Sequence, residues 1–249
     1  WDKPYFINDH HIALAYYGDR KEEPFKMTSE VPENFQSLVN KSRTSDTLNY
    51  WFKGPVLDSL KFEFEIQDTL RTKTVYFKNP IEDSLVVKKF TSGGLGLTSK
   101  FEINANLPIT EVDAEQVIVT NVDTIQIPAS LKIQENYDRV TVDFEVSPND
   151  RYQIKLLPNA LKDFWGQTHD TLVFKTSTKK IEDYGNIYLR VQHQSPHPYI
   201  IELLNNKKVV RRYDSLVPGN NYSFELLNAG KYSVRLLEDP NGNKQWDTG

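Results

Sequence analysis

Apolar and polar residues alternate in short runs along most of this chain: LKFEFEI (60–66), TVYFK (74–78), VIVTNV (117–122), RVTVDFEV (139–146), YQIKLL (152–157), NIYLRVQ (186–192), YIIELL (199–204), YSFELL (222–227) and YSVRLL (232–237). Successive side chains of an extended backbone point to opposite faces, so each run offers one face to a core and the other to water. Aromatic and β-branched residues fill the apolar positions, and Asn, Asp, Gly or Pro bounds each run, which predicts half-buried antiparallel strands. Helical spacing is scarce. Only ENFQSLVNK (33–41) predicts a turn or two of helix, and the Ser, Thr and Asn side chains nearby compete for its backbone hydrogen bonds.

The chain has 249 residues, 38% hydrophobic and 26% charged, which is enough apolar material and length for two or three domains with real cores. Thirty Lys and Arg against thirty-four Asp and Glu are mixed along the chain, and the net charge of −4 leaves no basic face for nucleic acid or anionic lipid. Cysteine is absent, which excludes disulfides, thiolate zinc sites and cysteine nucleophiles. No signal peptide and no apolar run near about eighteen residues occurs. The chain opens at Trp1 and closes on WDTG, which reads as a piece of a longer protein, so an export signal or lipid anchor is expected outside it.

A tripeptide recurs as DTL (46–48, 68–70, 170–172), DSL (58–60, 83–85, 214–216) and DTI (123–125) at irregular spacing. Turn chemistry accounts for it: Asp closes a turn, Ser or Thr opens a strand, and the aliphatic residue enters a core. Two polar or glycine-rich stretches, KKFTSGGLGLTSK (88–100) and TSTKKIEDYG (176–185), divide the chain into an N-terminal β-rich region (1–90), a second piece (91–180) and a third (181–249). The first of these stretches is expected to be a flexible joint.

The middle piece runs through FEINANLPITEVDAEQVIV to Y-x-I-x-L-x-P-x-A, D-x-x-G and a final strand ending in Thr, and it resembles the bacterial Ig-like domains of envelope and surface proteins. The last piece resembles a transthyretin-like or CnaB-like β-sandwich, through Leu227-Asn-Ala-Gly230-Lys-Tyr232 and the D-x-N-x-N turn after the next strand. Together they resemble the C-terminal part of Ig-like-domain envelope lipoproteins of the Bacteroidetes type, well over 91–249 and loosely over 1–90. The resemblance implies tandem β-sandwiches and a protein tethered to the bacterial outer membrane, at the cell surface or the periplasmic face, through a lipidated residue upstream. It brings no enzyme mechanism, and sandwiches of this kind serve many roles.

Site chemistry is sparse. Asp239, Asn241, Asn243 and Asp247 place side-chain oxygens at alternate positions and then at the ninth, with Gln245 at the position whose backbone carbonyl serves calcium in EF-hand loops. Against calcium, the sixth position is Lys244 rather than glycine, and Pro240 stiffens the second; a plain β-turn carrying Trp246 onto the sandwich edge is the competing reading. His10 and His11 are adjacent and face opposite ways, while His169, His193 and His197 fall in turns or loops, so all five read as isolated exposed histidines. Glu63 with Glu65, and Asp143 with Glu145, read as the solvated faces of strands whose other faces carry Phe62, Phe64, Val142 and Phe144. There is no GxSxG, P-loop or HExxH pattern.

Aromatic residues crowd the N-terminal region. In NYWF, alternation puts Tyr50 and Phe52 on one face and Trp51 on the other, which predicts a large ring left at a surface and covered there by another domain or subunit. These features describe a non-catalytic structural or interaction module that docks onto an outer-membrane or envelope protein. The alternative is a glycan-binding module stacking sugars on Tyr50 and Trp51.

Overall fold

The structure, a computed structural model, describes residues 4–8, 10–15, 25–43, 45–54, 58–66, 69–77, 83–90, 93–192, 197–216 and 221–244. The chain is all-β and forms tandem β-sandwiches; the only helical turns among the described residues are the short 3-10 segments Ala114–Gln116 and Ile181–Asp183.

In the N-terminal region a four-stranded antiparallel sheet runs in the order Tyr5–Asn8, His11–Ala15, Thr47–Lys53, Gln36–Lys41, and a three-stranded sheet runs Phe25–Met27, Ser59–Ile66, Thr69–Tyr76. First, second, fifth and fourth strands on one sheet, with third, sixth and seventh on the other, is the immunoglobulin arrangement. Between the sheets lie Ile12, Leu14, Tyr50, Phe52, Leu60, Phe62, Phe64 and Val75. The region expected only to be β-rich is therefore a sandwich in its own right. The segment 33–41 contains a strand, Gln36–Lys41, not a helical turn, because its alternation serves two cores: Val39 packs inward with Tyr50, and Leu38 packs outward beside Trp51.

The middle sandwich repeats the plan. One sheet orders Ala129–Ile133, Arg139–Phe144, Phe101–Ala105, Val87–Lys89, and the other orders Gln126–Ile127, Val117–Thr120, Arg151–Leu156, Leu172–Ser177. Phe101, Ile103, Val119, Val140, Val142, Ile154 and Leu156 fill the space between them. Tyr152, at the start of the strand Arg151–Leu156, accepts a hydrogen bond from the Ser147 backbone N–H at 2.6 Å. This is the tyrosine corner of immunoglobulin-like sandwiches, a ring that ties the turn between sheets to the strand it enters.

The glycine-rich stretch before this sandwich does not behave as a free joint over its described part. Val87–Lys89 pairs with Phe101–Ala105, Leu95 is buried in the core, and the Leu95 N–H donates to the Ser177 carbonyl at 2.8 Å. A Cβ on Gly94 would lie 2.7 Å from that same carbonyl, so the close approach requires glycine.

The last piece is smaller. Tyr184–Arg190 pairs with Asn221–Asn228, and facing them is a three-stranded sheet ordered Lys208–Leu216, Tyr199–Asn205, Tyr232–Glu238. Tyr199, Ile201, Leu203, Phe224 and Leu227 form its core. The recurrent tripeptides divide by position. Leu48, Leu60, Leu85 and Leu172 pack into cores, whereas Leu70 and Ile125 are exposed, the first on a sheet-edge strand and the second in the turn before one.

Candidate functional site

Trp51 follows Tyr50 on the strand Thr47–Lys53, so its ring leaves the opposite face of the sheet from Tyr50 and Phe52. That face is covered. Trp51 is 6% exposed and packs with Leu38, with Leu85 and Leu107, and with Phe164 and Trp165 of the middle sandwich. Its indole stacks on the His11 ring at 3.7 Å between centroids and meets Trp165 edge-on at 5.9 Å. Edge-to-face and offset pairs of this kind add to the stabilisation from burial alone.

Polar groups close the joint around the rings. Trp51 Nε1 donates to Asn40 Oδ1 at 3.0 Å, and Asn40 Nδ2 donates to the Asn136 carbonyl at 2.6 Å. Lys53 Nζ donates to the Phe164 carbonyl at 2.6 Å while lying over the Phe164 ring, and Trp165 Nε1 donates to the Phe52 carbonyl at 3.2 Å. Arg43 reaches Asp138 at 2.8 Å and Gln134 at 3.1 Å, and the Asp138 carboxylate raises the Arg43 pKa. Asn8 donates to Asp83 at 2.5 Å. Asn40, Arg43, Lys53 and Trp165 thus find acceptors across the boundary, which fixes one orientation as well as adding affinity.

Asp163 sits at the base of the loop that carries Phe164 and Trp165. Its Oδ1 accepts from the N–H groups of Trp165 at 2.9 Å and Gln167 at 2.8 Å, while burial pushes its pKa up against those bonds. The D-x-x-G seen in the sequence is therefore a turn that presents Phe164 and Trp165 to the neighbouring sandwich, with Gly166 at φ +85°.

The alternative of sugars stacked on Tyr50 and Trp51 meets buried rings, since at 3% and 6% exposed neither offers a face to a sugar, and what covers Trp51 is the middle sandwich. Two histidines expected at the surface are also buried. His11 lies between Trp51 and Asn49 Oδ1, 2.9 Å from Nε2, and burial lowers its pKa. His169 contacts the Asp170 carbonyl through Nδ1 at 2.7 Å. Alternation found Trp51's face, but nothing local in the sequence pointed to Asn40, Lys53 or Trp165, whose partners lie far along the chain.

Polar contacts join the middle and last sandwiches. Lys179 donates to Asn228 at 3.0 Å, and the Arg211 guanidinium donates to the Thr98 hydroxyl. Of the closing loop, Asp239 is buried and Asn241 and Asn243 are exposed, whereas Gln245 and Asp247 lie outside the described residues. Among the described residues no three His, Asp or Glu side chains gather as a metal cluster.

No protein-family model and no curated protein matches the chain. Among solved structures, the titin domains A168–A170 align with 96% of this chain and 91% of theirs at 8% identity and a TM-score of 0.26. The titin I9–I11 tandem aligns with 95% and 93% at 11% identity and a TM-score of 0.21. The fold described above rests on the strand pairing itself.

Proposed function

We propose that the chain is a non-catalytic structural and interaction module of a bacterial cell-envelope protein, an accessory subunit that docks onto an outer-membrane partner. Two immunoglobulin-type sandwiches joined through buried aromatic rings make a spacer, and the last sandwich, of transthyretin-like character, carries the docking surface. A lipid anchor outside this sequence would hold it at the membrane.

One observation carries the docking role. Val234 and Leu236 lie opposite Leu203 and Ile201 in the sheet register, on the side that faces the core, yet both are exposed. Among the described residues their strand, Tyr232–Glu238, is an edge of the three-stranded sheet, and the sheet opposite has two strands. An open edge with an uncovered apolar row suits an extended segment of a partner: its main chain would continue the sheet, and its alternate side chains would cover Val234 and Leu236.

The test is cross-linking in native membranes followed by purification of the tagged chain. The proposal expects one envelope protein in fixed proportion, lost when Val234→Lys and Leu236→Lys are combined in a chain that still folds. Recovery of the chain alone, or a partner indifferent to the double variant, overturns it. A fluorescence response to a polysaccharide panel would instead favour glycan binding, at a surface other than Tyr50 and Trp51.

A further inference from the structure

The loop that follows the last described strand holds a buried carboxylate with an unanswered oxygen. Asp239 is 0% exposed, and its backbone N–H donates to the Pro198 carbonyl at 2.8 Å, which anchors the residue to the sheet. Its Oδ2 accepts from the Lys244 N–H at 3.1 Å, across the loop, so the carboxylate faces the loop interior. Its Oδ1 has no hydrogen-bond partner. A buried carboxylate oxygen without a donor or a cation is costly enough to call for one.

The backbone around it bends as a cation loop bends. Lys244, five residues after Asp239, has φ +60°, the left-handed conformation that the glycine of an EF-hand loop supplies at the same position. The sequence objection to a metal, a lysine where glycine belongs, is thereby answered by conformation. Gly242 at φ +70° and the Asn243 N–H, which donates to Asn241 Oδ1 at 3.0 Å, complete the turn. A carbonyl oxygen has two lone pairs, so accepting that bond does not by itself bar Asn241 Oδ1 from a metal. Arg212, whose guanidinium reaches the loop at the Lys244 carbonyl, is engaged there and by Glu202 and Asp214, and does not answer Oδ1.

We propose that residues 239–244 bind a calcium ion, with Asp239 Oδ1 as the anchoring ligand and the side-chain oxygens of Asn241 and Asn243 beside it. Oxygen donors on an irregular loop favour calcium over zinc, which prefers nitrogen and sulfur, and over magnesium, which demands a near-octahedral shell. With one described carboxylate, affinity falls in the weak range of extracellular calcium modules, roughly 0.1–1 mM. The site does not depend on the docking role.

Calorimetric titration of the whole, chelator-treated chain with calcium chloride tests this, alongside thermal melts in calcium and magnesium. We expect one calcium per chain, a melting temperature raised by calcium more than by magnesium, and affinity weakened about tenfold or more in Asn241→Ala, an exposed position that leaves the sheet intact. Asp239→Asn, where it folds, abolishes the effect. No heat and no melting shift at about 10 mM calcium, well above the expected range, overturns the site, as does binding undiminished by Asn241→Ala.

Discussion

Trp51 donates its indole N–H to the side-chain oxygen of Asn40, 3.0 Å away on the adjacent strand, and the nitrogen of that same amide crosses to the neighbouring sandwich. One buried amide therefore orients the ring that fills the joint and ties it to the Asn136 carbonyl. Trp51→Ala would remove the ring and leave a cavity, a loss of about 3–5 kcal/mol. Asn40→Ala would strand a buried indole N–H, a loss of about 1–3 kcal/mol. Scanning calorimetry checks both, with the further expectation that wild type unfolds its first two sandwiches in one transition and Trp51→Ala in two.

The tyrosine corner gives a prediction confined to the middle sandwich. Tyr152→Phe keeps the ring in the core and removes the hydroxyl that accepts from Ser147 at 2.6 Å, so stability should fall by about 1–2 kcal/mol through an unpartnered N–H. Urea unfolding monitored by NMR should show the loss in the middle sandwich and leave the last one unchanged.

How much of this was legible in the sequence depends on the distance between partners. Period-two alternation fixes the face a side chain takes, so the opposite placement of Trp51 and Tyr50 was readable from NYWF alone. What covers Trp51 was not, because Phe164 and Trp165 approach from a loop of another sandwich. The N-terminal sandwich itself was hidden for the same reason: Thr47–Lys53 pairs with His11–Ala15 across a long stretch of chain, and no cysteine pair marks the two sheets. The closing loop was readable as a list of oxygens, but the left-handed backbone at Lys244 and the orphaned Oδ1 of Asp239 are properties of three dimensions.

Acid should weaken the first sandwich through His11. Burial lowers its pKa, and this outweighs the opposing effects of the Asn49 hydrogen bond and the Asp83 charge. The native state then binds fewer protons than the unfolded chain, whose histidine titrates near about 6.5. Stability from the neutral ring is present in full above that value and falls as pH drops through it towards the folded pKa. Melting temperatures from about pH 8 to pH 5 should decline more steeply for wild type than for His11→Gln; parallel slopes would remove His11 from the account.

Glu202 makes a further prediction for the last sandwich. Its side chain is 6% exposed and accepts from Arg235 Nε at 2.8 Å and from the Arg212 guanidinium at 3.3 Å. Glu202→Ala would leave two cations facing each other across the strand. Both are partly solvated, so the loss should be about 2 kcal/mol, below the range for a fully buried pair. Thermal denaturation should show that loss partly relieved by salt, which screens the repulsion that remains.

The fixed joint between the first two sandwiches is most directly tested by a distance distribution. The chain has no cysteine, so labels placed through Lys73→Cys and Lys132→Cys, both exposed and on different sandwiches, report without background. Double electron–electron resonance on this otherwise wild-type chain should give a single narrow distance that broadens in Trp51→Ala. A broad distribution in the wild-type background would mean that the rings of Trp51, Phe164 and Trp165 do not hold the two sandwiches together, and the spacer would fail as a description of this protein.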